Sequence, residues 1–306
     1  MLDFLTGFLA SDIRTATPLL IAALGVVFSE RAGIVNIGIE GFMLTGALMG
    51  VVGSWATGSV VAGTLIAMVS VMLFALVFAY FTITVGANQT VVGVAVNILA
   101  GGLTITLNRT VFGVNTSMPR IDVFDAVKIP YLSELPIVGK ALFSQSIPVY
   151  IALVLVPILW FVLMKTNVGL NVRAVGDHPQ ACDTVGIDVV RTRYGAVLFS
   201  GLMAGFAGAF VSMGQLSFFT EGMVAGRGFI VLAAVVFGNY TPVGVLGAAL
   251  LFGAGDALQY NLQAANTNIP YQFLTMMPYI ITLGALCGFI RRSNKPLSSG
   301  VHYRKG

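Results

Sequence analysis

The chain has 306 residues, 57% of them hydrophobic and 9% charged, with a mean hydropathy of +0.92. An ordinary soluble domain carries about 25% charged residues, and a single core of this size leaves much of its chain facing water; a water-soluble fold is excluded and the bilayer is the solvent. The net charge of +4 and pI of 9.2 fit positive-inside topology rather than a nucleic-acid surface, and Cys182 and Cys287, in unlike settings, argue against a disulfide framework or a structural zinc.

Apolar runs occupy 17–29, 33–56, 59–83, 88–108, 147–164, 195–216, 227–238, 242–258 and 272–290. A full crossing takes roughly 20 residues at 1.5 Å each, so 17–29 and 227–238 are too short to span alone. Met1 to Ala10 contain Asp3 in place of a basic n-region, and no cleavable signal peptide is expected. Short runs beside Gly-rich ones (17–29 with 33–56, 227–238 with 242–258) suggest two halves with interrupted segments, the pattern that marks solute sites in repeat-built transporters.

Charge sets the orientation. Segment 165–193 carries Lys165, Arg173, Arg191 and Arg193, and the tail carries Arg291, Arg292, Lys295, Arg304 and Lys305. Both are expected in the cytoplasm, which requires an even number of crossings between them. Breaking 227–258 at Gly238-Asn239-Tyr240-Thr241-Pro242 supplies that number, because proline ends the helix and restricts the residue before it. The polar stretch 109–146 then lies outside. If 33–56 crosses fully, the N-terminus is outside with nine crossings; if part of it is re-entrant, it is inside with about eight.

Absences narrow the chemistry. There is no GxxxxGK[ST] phosphate loop, no HExxH and no GxSxG, and the histidines are His178 and His302, both in polar segments. The chain does not hydrolyse ATP in the P-loop manner, and membrane-embedded metal or histidine catalysis is not expected. Polar groups inside apolar runs are costly and usually face a cavity or a partner. Glu40, with Asn36 one turn earlier, lies in a Gly-rich run; Asn97 is central to 88–108 and Asn88 stands at its entrance. These four are the candidate residues of a solute pathway, as lining or as braces to backbone freed by the glycines. Asp256 ends the run 242–258. Gly201, Ala204, Gly205 and Gly208 form a helix-packing face.

Within 165–193, Asp177 or His178 precedes Pro179 at the first turn of a short helix, and Gly186 can close it as a C-terminal cap. Two turns of isolated helix are marginal in water, and this one lacks the apolar stripe that would hold it on lipid. It is expected to dock on a protein.

Three blocks carry a resemblance. Ser29-Glu-Arg-Ala-Gly33-Ile-Val-Asn36-Ile-Gly38-Ile-Glu40-Gly41, Arg173-Ala-Val-Gly176-Asp177-His-Pro179-Gln180-Ala-Cys-Asp183-Thr184-Val-Gly186-Ile187 and Gly228-Phe-Ile-Val-Leu-Ala-Ala-Val-Val-Phe-Gly238-Asn-Tyr-Thr-Pro242 resemble permease subunits of bacterial ABC importers for sugars, nucleosides and branched-chain amino acids. The first block is most like the shorter permease of nucleoside importers. The resemblance spans about 17–290 and implies an all-α polytopic bundle of about 8–9 membrane segments, a single permease domain over 1–306. It implies a multi-pass place in the bacterial cytoplasmic membrane with the C-terminus inside, and no cofactor in this chain, ATP being used by a partner subunit. It also implies three partners besides lipid: an ABC ATPase, a related but different second permease, and an external substrate-binding lipoprotein. Asp177, Pro179, Gln180, Asp183, Thr184, Gly186 and Ile187 would form the helix that docks on the ATPase. Cys182-Asp183 departs from the Ala–Ala or Ala–Asp expected there. A sugar permease is the nearest alternative; an ion-coupled secondary transporter and an intramembrane enzyme lack the carboxylate or histidine constellations they would need.

Overall fold

The computed structural model describes residues 2–113, 121–128, 139, 142–264, 271–276, 280–281, 284 and 294–304. In chain order the helices are α1 (Leu2–Arg31), α2 (Ile39–Thr57), α3 (Val60–Ala79), α4 (Gln89–Phe112), α5 (Ile147–Lys165), α6 (Asn167–Asp177), α7 (Pro179–Thr184), α8 (Val189–Phe210), α9 (Arg227–Phe237), α10 (Pro242–Ala264) and α11 (Tyr271–Thr275). Single π turns at Tyr80–Thr84 and Val211–Gln215 prolong α3 and α8. A small antiparallel ribbon pairs β1 (Ala126–Lys128) with β2 (Ser144–Ser146), inside the stretch that sequence places outside.

Among the described residues, 7 helices are long and apolar enough to cross a membrane, and Arg227–Phe237 is a shorter apolar helix. The run 272–290 lies largely outside the described residues. Local chemistry sets the boundaries. Gly58, at φ +67°, closes α2; Asn88, Thr166 and Asp188 accept backbone N–H groups at the starts of α4, α6 and α8, as N-caps do.

Polarity tracks burial in α1, α2, α3 and α5, while α10, with a mean hydropathy of 1.3, is polar yet mostly exposed. Helices α1, α2 and α8 are mostly buried in protein, whereas α3, α4 and α5 are mostly exposed. Mean hydropathy is 2.6 for the spans of α3 and α5 but 1.4 and 1.3 for those of α1 and α2. Lipid-facing helices must be apolar around their outer surface; central ones can bury polar groups against neighbours. This corrects the expectation of a short first segment: 17–29 is only the apolar part of the 30-residue α1, whose earlier turns carry Ser11, Asp12, Arg14 and Thr15. Of the run 33–56, the helix begins only at Ile39, after a turn. The expected break at 238–242 is present, with Asn239 and Tyr240 in the left-handed region at φ 53° and 56°.

The small-residue face of α8 packs on two sides. Gly201 and Gly205 meet α3 at Ala75, Ala67 and Met68, while Gly208 lies against the Met43 carbonyl and Gly205 against Gly46 of α2. A Cβ on Gly46 would stand 2.7 Å from the Gly205 carbonyl oxygen, so glycine sets the helix separation there. Phe42 and Phe78 close the same interior edge-to-face, centroids 6.2 Å apart, a favoured aromatic geometry.

Candidate functional site

Helix α9 has 11 residues, about 16 Å at 1.5 Å per residue, or roughly half of a 30 Å hydrocarbon layer. The turn that follows it meets the end of α1: Arg31 Nε donates to the Tyr240 carbonyl at 2.9 Å and Nη2 to that of Asn239 at 3.4 Å. The first turn of α9 therefore stands well inside the bundle, with backbone N–H groups that have no partner in their own helix.

Glu40 fills that need from the start of α2. Its Oε1 accepts from the Gly226 amide at 2.9 Å and its Oε2 from the Gly228 amide at 2.7 Å. The carboxylate is a remote cap whose negative charge complements the positive end of α9. Gly226 holds φ +84°, and a Cβ on Gly228 would lie 2.5 Å from the Glu40 backbone; both glycines are required by this approach. Asn97 fixes α2 from the other side, its Oδ1 accepting from the Gly41 amide at 2.8 Å and its Nδ2 donating to the Ile37 carbonyl at 3.0 Å. Asn36, fully buried, closes the preceding turn by accepting from the Gly38 amide at 3.0 Å, and its Nδ2 has no hydrogen-bond partner among the described residues. Gln89 Oε1 accepts from the Val35 amide at 2.8 Å.

Arg227, the first residue of α9, reaches the other way. Nη1 donates to Gln215 at 3.2 Å, and Nη2 stands 3.4 Å from the Tyr260 hydroxyl and 3.8 Å from Asp256. Gln215 in turn donates to the Arg14 carbonyl at 3.2 Å. That carbonyl lies four residues before Pro18, which has no N–H to offer it; Gln215 supplies the missing donor. Farther along the loop, Glu221 pairs with Arg109 at the end of α4 through two contacts of 3.1 and 3.3 Å.

On the face where α1 ends, α7 begins with Pro179 and closes in a Schellman motif. The Gly186 amide donates to Asp183 and the Ile187 amide to Cys182, with Gly186 at φ +84°. Pro179 and Cys182 point inward; Gln180, Thr184, Val185 and Gly186 are exposed. Residues 294–304 cross beneath. Ser298 bonds to Gly176, the Leu297 amide to Asp177 and the Gly300 amide to Gly33. Arg193, buried, joins the Ala32 and Val301 carbonyls. Tyr303 packs with Val175, Cys182 and Val189; burial and its hydrogen bond to Asp183 push the Tyr303 phenol above the usual tyrosine range. Burial, with Asp177 close by, likewise raises the Cys182 thiol, which keeps it unreactive. A polar cleft of about 350 Å³ separates this helix from the start of α8, lined by Asp183, Asp188, Arg191 and Tyr303 among others.

Residues 8–286 match the family model described as branched-chain amino acid transport system / permease component. The chain belongs to this permease family. Over its whole length it is 42% identical to the guanosine ABC transporter permease protein NupQ of Bacillus subtilis, covering 99% of that protein. It is 36% identical to the nucleoside ABC transporter permease protein NupC of Lactococcus lactis, across 97% of this chain and 96% of that one. It is 37% identical to the putative glucose ABC transporter permease protein TsgC13 of Haloferax volcanii, across 93% and 92%. No solved structure matches the permease.

Of the four sequence-level pathway candidates, the permease brings Asn36, Glu40 and Asn97 together around the start of α2. Asn88 stands apart as the N-cap of α4, its Oδ1 accepting from Thr90 and Val91. Asp177, Pro179, Gln180, Asp183, Thr184, Gly186 and Ile187 lie together on α7 and its two flanking turns. Arg227, Gln215 and Arg31 are site residues beyond the sequence-level candidates, and the tail shows in the sequence only as positive charge. Arg227 sits between two glycines as the first residue of the apolar run 227–238; the intramembrane ionisable rule, applied to that first position, finds it.

Proposed function

We propose that this permease is the membrane half of an inward-directed, ATP-driven importer of nucleosides. The observation that carries the reading is the full-length likeness to guanosine and nucleoside permeases. The likeness to a glucose permease favours simple sugars as the second reading. A separate ATPase binds the nucleotide, since the chain has no phosphate loop, and it docks on the exposed side of α7. The tail and segment 165–193 share one face with the end of α1. Their Lys and Arg residues make that face cytoplasmic by the positive-inside rule, which puts the β1–β2 ribbon outside, toward a substrate-binding lipoprotein.

A related but different permease pairs with this one in the cytoplasmic membrane. Closure of the ATPases shifts α7, and access to the pathway between the two permeases alternates between the two sides. Glu40, Asn36, Asn97 and Asn88 brace that pathway by holding α2, α4 and α9 in register. The chain performs no covalent chemistry and binds no nucleic acid.

The test is uptake by proteoliposomes holding both permeases, the ATPase and the binding lipoprotein. ATP-dependent accumulation of chemically unchanged guanosine or adenosine is the expected result. Accumulation of glucose alone moves the assignment to sugars, and uptake that persists with a hydrolysis-dead ATPase overturns the ABC mechanism.

A further inference from the structure

We infer that Arg227 and Asp256, with Gln215 and Tyr260, form the point inside the membrane where the permease meets its solute. The ligand class is a neutral polyhydroxylated molecule presenting vicinal hydroxyls and a carbonyl or amide edge, as a ribonucleoside does. This assignment rests on the importer reading above.

Four observations separate this cluster from an ordinary brace. First, Arg227 opens the short helix α9, about half the hydrocarbon thickness from the turn that Arg31 holds; a cation at the positive end of a helix is placed against its dipole. Second, the pair is loose. Its 3.8 Å separation exceeds hydrogen-bond range, and Asp256 accepts no hydrogen bond from any described residue. Glu40, a real brace in the same region, has both oxygens taken at 2.9 Å or less. Third, each side chain keeps 15% of its surface accessible, and Tyr260 is exposed. Charged groups at this depth do not face acyl chains, so the open side is aqueous or filled by another protein. Fourth, the loop leading to Arg227 carries Glu221, paired with Arg109 at the far end of α4. That ion pair and the Arg227–Asp256 pair thus stand at the same connection between α8 and α9.

The free acceptor capacity of Asp256 suits two adjacent hydroxyl donors, and the guanidinium suits a carbonyl oxygen. The exposed Tyr260 ring offers a flat surface beside them. Ribosides and hexoses both present vicinal hydroxyls, so the choice of solutes in the test tells them apart.

The test measures saturating uptake in the reconstituted complex, where capture by the wild-type binding protein is complete. Asp256→Asn, which keeps the shape, is compared with the double variant Arg227→Met/Asp256→Leu. An ion pair that only braces is replaceable by apolar residues of similar volume. The expected result is a loss of about tenfold or more in ribonucleoside uptake for both variants, with a much smaller loss for 2′,3′-dideoxynucleosides in Asp256→Asn. Wild-type rates and solute preference in both would overturn the inference, as would an equal loss for ribo- and dideoxynucleosides. If the double variant does not co-purify with its partners, the ribo- against dideoxynucleoside comparison in Asp256→Asn decides alone. Wild-type uptake restricted to hexoses, or independent of ATP, sinks the nucleoside importer reading instead; the same comparison with deoxyhexoses or under ion gradients then decides the site.

Discussion

Ser298 gives two hydrogen bonds to one acceptor: its amide at 2.9 Å and its hydroxyl at 2.5 Å both reach the carbonyl oxygen of Gly176. Gly176 belongs to α6, whose next residue but two opens α7, and a Cβ there would collide with the Arg31 carbonyl. The tail, the α6–α7 segment and the end of α1 are therefore fastened at one place. The same tail also reaches the turn that follows α9, where the Asn294 amide donates to the Asn239 side chain at 2.7 Å.

The tail fastening is expected to matter for ATPase retention. Tyr303→Ala removes both the packing on Cys182 and the bond to Asp183, and it should weaken co-purification of the ATPase about tenfold. Tyr303→Phe keeps the packing and should cost about threefold or less. Because the folded-state phenol is raised, its contribution is complete below the ordinary tyrosine pKa of about 10 and fades as pH rises through the folded value. Retention should thus show no Tyr303-dependent change between about pH 7 and 9.

Glu40 should be a residue of stability as well as transport. Glu40→Ala orphans the Gly226 and Gly228 amides and removes the charge from the start of α9, a loss of about 2–5 kcal/mol. Glu40→Gln retains one acceptor and should lose about half as much. Thermal unfolding of the purified complex ranks the three proteins, and uptake should fall in the same order. Normal uptake by well-expressed Glu40→Ala and Asn97→Ala would remove both residues from the pathway.

Gly186 tests the docking role proposed for α7 without touching the membrane interior. Its left-handed φ of +84° is strained for alanine by about 1 kcal/mol. Gly186→Ala should loosen the end of α7 and lower ATP-driven uptake severalfold, while the unfolding temperature of the permease itself stays near wild type.

Two glycine variants separate close packing from mere composition. Gly208→Ala forces a methyl group onto the Met43 carbonyl and should destabilise by about 1–3 kcal/mol. Gly101→Ala, with nothing within 4 Å of the new Cβ, should be neutral or stabilising by up to about 1 kcal/mol. Detergent-solubilised unfolding curves give both values.

What sequence revealed follows from locality. The break before Pro242, the capped helix at 179–186 and the Gly201/Gly205/Gly208 face each depend on residues within a turn or two of one another. The length of α1 did not show, because hydropathy measures contact with lipid and α1 is enclosed by protein that can accommodate Asp12 and Thr15. Asn97 and Glu40 stood out as polar residues in apolar runs, yet their partners are backbone atoms 56 and 186 positions away. No side-chain pattern encodes such partners. The tail read only as positive charge because its bonds to Gly33, Gly176 and Asp177 also use backbone groups.

The short α9 also sets how the permease is turned about the membrane normal. The turn at 224–226, next to α9, carries backbone amides and carbonyls at a depth where acyl chains offer them no partner, so that flank of the molecule has to abut protein or water. Apolar flanks that suit lipid are those of α3, α4 and α5, where Val61, Leu65 and Val69 on the first, Val91, Val94 and Ile98 on the second, and Ile151, Val154 and Phe161 on the third stand exposed. Azimuth as well as topology is written into the chain: greasy sides for lipid, and one side from which backbone polarity shuts lipid out.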